Sequence, residues 1–227
     1  MQERIKSHLK KWEQDISKNK TWIILSMIFL VCASILNYYF GHYTNSAGTV
    51  VSPDLILNAI NPINLSFLYI WLYLAVFLVI LIYPLFLKPQ KLSYSLGMLS
   101  LFIFIRALFT SLTPLKTPLD AIPTEFPWIF QSFQFQNDLF FSGHTGLPFL
   151  GFLMFRDNKK LSYFFLASSL ILGVTVLLMH EHYSIDVFAA FFITYGVYKI
   201  GNKAQSFINN IELKITKKEI AIVNKNP

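Results

Sequence analysis

The sequence predicts an all-α integral membrane protein with six transmembrane helices, both termini cytoplasmic, and an active site at the outer-leaflet face. Three observations carry this. Apolar residues make up 54% of the 227 residues, Phe alone occurs 23 times, and charged residues are only 14%. The apolar residues collect in six runs, and a bilayer core takes roughly 20 of them per helix. Lys and Arg are sorted to one side of those runs. So much apolar surface with so little charge to coat it points to lipid as the solvent. The same composition excludes a disordered chain, and one cysteine excludes a disulfide scaffold.

The elements follow in order. Residues 1–21 place Ile5, Leu9, Trp12 and Ile16 at spacings of four, three and four, one face of a helix lying on the membrane. This charged start is expected not to be a cleavable signal peptide, so the first apolar run is expected to remain as an anchor. The spans are predicted at 22–40, 65–87, 94–112, 141–155, 161–179 and 185–200, the fourth being short. Together they form one catalytic domain over 22–200. Cys32, inside the first span, is expected to be a buried small hydrophobe. A basic tail over 201–227, with Phe207, Ile208, Ile211 and Ile215 between lysines, resembles the N-terminal segment.

Charge sets the orientation. Six Lys and Arg lie in the N-terminal segment, five in the loops around 88–93 and 156–160, and six from Lys199 onward. Only Lys116 belongs to the opposite side, and Arg106 lies within a span. The basic side is therefore read as cytoplasmic, and the net charge of +7 as a topology signal and an attraction to anionic lipid, with no nucleic-acid partner. The outer side holds two long connections, 41–64 and 113–140. Loops of that length commonly serve as lids or binding surfaces.

Polar residues in membrane segments are costly, so each needs a reason. Arg106 sits about 10 Å below the outer end of span three, at ~1.5 Å rise per residue. It either pairs with a neighbouring acid or clamps an anion, since guanidinium matches phosphate with forked donors. In Asn137-Asp138-Leu139-Phe140-Phe141-Ser142-Gly143-His144-Thr145, Ser142 is placed to cap span four. Gly143 allows close approach of a ligand, and His144 stands among free N–H groups that favour an anion. In His180-Glu181-His182-Tyr183-Ser184-Ile185-Asp186, His182 and Asp186 are four apart, so the acid could orient the imidazole along one helix face. A metal held by His180, His182 and an acid is the rival reading there. The topology brings all three clusters to one depth on one side. Two histidines, an Asp, an Arg and a helix start at a lipid boundary suit phosphoryl transfer through a phosphohistidine. No Gly-rich nucleotide loop occurs, so no ATP and no other cofactor is implied.

These residues resemble the type-2 phosphatidic acid phosphatase (PAP2) superfamily, and more closely its sphingomyelin synthase-like branch. The tightest motifs are Asp138 through Thr145 and His182-Tyr183-Ser184-Ile185-Asp186-Val187, where the branch has Thr in place of Ser184. Pro53-Asp54 is similar to the branch's Pro-Asp after its first span, and Arg106 with Thr110 and Thr113 to its Arg-and-Thr motif. The resemblance implies His182 as nucleophile, Asp186 as its orienter and His144 as proton donor and acceptor. Arg106, Asp138, Ser142, Gly143, Thr145 and Tyr183 are implied at the substrate, with no metal. The phosphatases' Lys-x6-Arg-Pro signature is absent, and Thr175-Val176 stands where their Ser-Arg would be. Both departures favour the synthase-like branch. The implied activity is transfer of a phospho-headgroup from a phospholipid to a lipid alcohol. The alternatives are release of phosphate to water, and, from another class, a lipid transporter or scramblase whose headgroup path these residues line. The expected location is a multi-pass membrane protein, in the plasma (inner) membrane if the source is bacterial, with the site facing the periplasm or exterior.

Overall fold

The apolar runs form helices. A computed structural model describes residues 2–128, 131 and 134–223. The tail residues 224–227, including Lys225, and the side chains of Ile5 and Ile215 lie outside the described residues. In chain order the helices are α1 (Gln2–Lys18), α2 (Lys20–Ala47), α3 (Ser66–Ile82), α4 (Leu92–Leu112), α5 (Gly143–Met154), α6 (Lys159–Leu178) and α7 (Ser184–Val223). No strand occurs among the described residues, only a single parallel bridge between Val50 and Leu115.

Among the described residues, five segments are long and apolar enough to cross a membrane: Lys20–Ala47, Ser66–Leu87, Pro89–Leu112, Lys159–Leu178 and Ser184–Ile211. The remaining predicted span, 141–155, is the 12-residue helix α5. At ~1.5 Å per residue it covers about 18 Å, short of the roughly 30 Å of a bilayer core. It starts level with Arg106, whose Nε lies 3.1 Å from where a Cβ on Gly143 would stand. The tail also differs from expectation. It forms no separate element up to Val223 but continues α7, a helix of 40 residues. Gly196 and Gly201 interrupt the pattern there, and a glycine weakens a helix by only about 1 kcal/mol where no proline follows.

Helix α2 packs along α4, and α5 sits between α6 and α7. The main core joins Ile80 of α3, Phe102 of α4, Leu150 of α5, Phe165 of α6 and Ala190 of α7. Outward faces stay apolar: Met27, Ile28, Val31 and Ile35 on α2 and Phe192 on α7 are exposed. Cys32 is exposed with them, so it is a surface side chain of α2 rather than a buried one.

The two ends of the bundle differ. At one end α1 rests on the turn at Pro89–Lys91, Trp12 donates to the Leu85 carbonyl at 2.7 Å, and Lys91 pairs with Asp157 at 2.8 Å. The Tyr94 hydroxyl donates to Asn202 there at 3.1 Å, which places the far part of α7 at this basic end. At the other end lie the two long connections and the turn from α6 to α7.

Candidate active site

The α6–α7 turn is built on His180. Its φ of 58° is left-handed, a conformation glycine usually supplies. His180 N–H donates to the Leu177 carbonyl at 3.1 Å and Glu181 N–H to that of Val176 at 3.0 Å. That pair of bonds is the Schellman closure, which satisfies the last carbonyls of α6 and reverses the chain. Helix α7 then starts at Ser184, whose N–H donates to Asp54 Oδ2 at 2.7 Å. Asp54 Oδ1 accepts from Ile56 and Leu57 N–H at 2.9 and 3.1 Å. Burial pushes the Asp54 carboxyl up, but these backbone donors and Ser184 outweigh it and hold it below the usual carboxylate range.

His182 therefore lies just ahead of α7, not on its face as the spacing suggests. It still meets Asp186, which is in the first turn of the helix. His182 Nδ1 is 3.4 Å from Asp186 Oδ2, and the same oxygen accepts Tyr183 N–H at 3.0 Å. Asp186 is fully buried, and its Oδ1 has no partner among the described residues. Its main-chain carbonyl accepts Ser142 N–H at 3.1 Å, which ties the start of α7 to the start of α5.

Ser142 caps α5. Its hydroxyl accepts from Thr145 N–H at 3.4 Å and Thr145 Oγ1 at 3.3 Å. The N–H groups of Gly143 and His144 remain without a partner among the described residues, as first-turn donors do. A Cβ on Gly143 would stand 3.1 Å from Arg106 Nε, so this glycine admits the guanidinium. The His144 ring lies against two tyrosines of α3, Tyr69 at 3.9 Å and Tyr73 at 4.1 Å between centroids. His144 Nε2 has no hydrogen-bond partner among the described residues.

Each nitrogen of the Arg106 guanidinium bonds to the protein. Nη1 bonds Asp138 Oδ2 at 2.5 Å, Nη2 the Asp138 carbonyl at 2.8 Å and Nε the Phe141 carbonyl at 2.9 Å. Of the two readings of this arginine, the geometry shows the pairing with a neighbouring acid.

A cavity of about 350 Å³ opens among these groups, lined by Arg106, Asp138, Gly143, His144 and His182. Tyr69, Tyr73 and Phe126 enclose it near the histidines, and it continues past Leu74, Phe77, Phe102 and Ile103 to Ser34 and Asn37 of α2. Cavities of this size suit small ligands or part of a lipid. A second cavity of about 400 Å³ lies at the basic end, lined by residues such as Asn19, Gln90 and Lys91, and contains none of the predicted site residues.

Of the predicted residues, then, Arg106, Asp138, Gly143, His144 and His182 share one cavity, with Asp186 directly behind His182. Ser142, Thr145 and Tyr183, expected at the substrate, do not line it. Ser142 and Thr145 are spent on each other, and the Tyr183 hydroxyl donates to the Lys116 carbonyl at 2.8 Å and accepts from Ser52 N–H at 3.1 Å. His180 faces the long loop instead, with Nδ1 2.8 Å from Asp120 Oδ2; that bond holds the Asp120 carboxyl below its usual range. Next to it, burial pushes the Glu181 carboxyl up, and Thr124 donates to it at 3.1 Å. Sequence reasoning missed Tyr69, Tyr73, Ser34 and Asn37. A signal existed in each pair: tyrosines four apart, and a Ser and Asn three apart, inside otherwise apolar spans.

Comparison with known proteins agrees with this part of the chain. Residues 137–203 match the family described as PAP2 superfamily C-terminal, a stretch that holds Asp138, His144, His182 and Asp186 and leaves out Arg106. The match supports a PAP2 superfamily relationship over that segment. An uncharacterized protein of Methanocaldococcus jannaschii is 31% identical over 98 residues, which are 43% of this chain and 37% of that relative. The match thus spans little more than a third of the relative's length. No solved structure matches the chain.

Proposed function

We propose that the protein is a membrane-embedded lipid phosphotransferase that moves a phospho-headgroup between lipids through a phosphohistidine on His182. The observation that carries this is the convergence of His182, backed by Asp186, with His144 and the free N–H groups of Gly143 and His144 on one cavity with apolar walls. The PAP2 superfamily match supports phosphatase-type or phosphotransfer chemistry on lipid phosphates.

The scheme assigns each group a step. Asp186 holds Nδ1–H of His182, so Nε2 carries the lone pair. Nε2 attacks phosphorus while the bond from phosphorus to the glycerol oxygen breaks. The His144 imidazolium gives that oxygen its proton, and diacylglycerol leaves. His144, now neutral, takes the proton of an acceptor hydroxyl, whose oxygen attacks phosphorus and frees His182. The N–H groups at the start of α5 face the phosphoryl oxygens.

Charge favours a diester donor. Among the described residues lining the cavity Arg106 is the sole Lys or Arg, and Asp138 neutralises it, so the proton on His144 supplies the one positive charge left over. A phosphodiester brings one negative charge to such a site and a phosphomonoester nearly two at neutral pH. This supports headgroup transfer to a lipid alcohol, as in sphingomyelin synthases, over release of phosphate to water. The proposal includes six crossing segments, with α5 as the short one, and cytoplasmic termini. A cysteine placed at Lys116 should then be alkylated from outside intact cells, and labelling only after permeabilisation would invert the orientation.

The activity test uses purified protein in detergent with phosphatidylcholine, phosphatidylethanolamine or phosphatidic acid, each with and without ceramide or diacylglycerol. Mass spectrometry follows the lipids. A new phospholipid that depends on the acceptor, and falls ~10³-fold or more in His182→Ala, is expected. Diacylglycerol and free phosphate from phosphatidic acid alone would make the protein a phosphatase. Lipid movement that survives His182→Ala, with no product formed, would make it a transporter.

A further inference from the structure

The cavity has a polar end that the phosphoryl chemistry leaves unused. Ser34 and Asn37 lie three apart on α2, share one helix face, and line the cavity opposite Tyr73 and Phe77 of α3. Neither side chain has a hydrogen-bond partner among the described residues. Ser95 of α4 shares this state, but a serine in a helix commonly bonds a carbonyl one turn back. Ser46, Ser100 and Ser111 of this protein do so, to Tyr43, Leu96 and Leu108. An amide in a membrane span without a partner is costly and marks a functional position.

Depth identifies what these groups meet. Arg106 is six residues from the end of α4 at Leu112, and Asn37 and Ser34 are ten and thirteen from the end of α2 at Ala47. The chains leaving the two helices are bridged at Val50 and Leu115, so the helices end at a similar level. At ~1.5 Å per residue, Asn37 lies about 6 Å and Ser34 about 10 Å deeper than Arg106. In a phospholipid, the acyl carbonyl oxygens are six or seven bonds from phosphorus, about 5–8 Å along the chain. Beyond them only hydrocarbon follows, and Leu74, Phe77, Phe102 and Ile103 give the cavity apolar walls.

Resting on the proposed phosphotransfer, we infer that Asn37, assisted by Ser34, is a linkage-reading subsite that donates hydrogen bonds to the acyl carbonyl of the lipid, ester or amide, while its phosphate lies at His182. The subsite selects acyl-linked lipids over ether-linked ones, because an ether oxygen is a poorer acceptor and leaves the amide unpaired.

Binding tests this without turnover and without knowledge of the headgroup. Protein carrying His182→Ala is titrated in detergent with diacylglycerol, ceramide and dialkylglycerol of matched chain length, read by native mass spectrometry. Diacylglycerol or ceramide should bind about tenfold tighter than the dialkyl lipid, and which of the two is preferred separates ester from amide. Adding Asn37→Leu, which places an apolar residue in a membrane span and should fold, should remove the preference; Ser34→Ala should reduce it about threefold. Equal binding of all three lipids, binding of none, or a preference that survives Asn37→Leu would overturn the inference. If protein with His182 intact forms no product from any lipid, the phosphotransfer reading fails. A diacyl preference abolished by Asn37→Leu would still leave the subsite standing.

Discussion

Two ion pairs, one at each end of the bundle, look alike by distance and differ in everything else. Arg106 and Asp138 meet at 2.5 Å, with each side chain 13% exposed. Lys91 and Asp157 meet at 2.8 Å, with side chains 35% and 51% exposed. The arginine bonds two main-chain carbonyls as well, so it joins α4 to the strand of chain that leads into α5. The lysine makes one bond to one carboxylate. A buried pair is costly to break because the surviving charge is stranded, whereas an exposed pair is replaced by water. The lesson is that Arg106 builds the site's frame, while Lys91 decorates a surface.

The largest effect expected from this contrast follows from Arg106→Leu. It strands a carboxylate whose Oδ1 already lacks a partner among the described residues, and it frees the carbonyls of Asp138 and Phe141. Removing one partner of a buried pair costs about 3–5 kcal/mol. The variant should melt well below the parent in detergent. Replacing Asp138 by Leu as well removes the stranded charge and should recover most of the loss. Phosphotransfer by that double variant would show the pair to be framework alone, and a stable but inactive double variant would give it a part in the chemistry. A single Arg106→Leu variant that melts with the parent would erase the contrast between the two ends.

The same contrast explains what was legible in the sequence. Apolar runs name membrane helices because lipid imposes length and hydropathy on any span, and five of the six predicted runs meet both criteria. Charge sorting marked one end of the bundle as basic for a similar reason. That α7 runs on into the tail was not legible, because a polar stretch can continue a helix without leaving any mark in periodicity. His182 and Asp186 were legible as a pair from their spacing, but the pairing across a helix start was not, since it depends on the left-handed turn at His180 and the cap from Asp54, 130 residues away. Arg106 and Asp138 were each visible as polar residues in apolar surroundings, yet nothing local says that one satisfies the other. Tyr69 and Tyr73 were hidden in a strongly apolar span, where aromatic residues are ordinary, and only the packing of α3 against α5 gives them a role beside His144.

The smallest effect belongs to the exposed pair. Lys91→Ala should cost less than about 1 kcal/mol, because water takes over at both partners. Its pH dependence is the sharper readout. The hydrogen bond from Lys91 holds the Asp157 carboxyl below its usual range, despite some desolvation in the other direction. An acid with a depressed pKa contributes stability above its unfolded value, near pH 4, and loses it as pH falls through the lower folded value. The difference in melting temperature between parent and Lys91→Ala should therefore be present at neutral pH, vanish in acid, and shrink in high salt. A difference that persists unchanged at 1 M salt and below pH 3 would mean that Lys91 is held by packing rather than charge, and that the basic end is framed as firmly as the site.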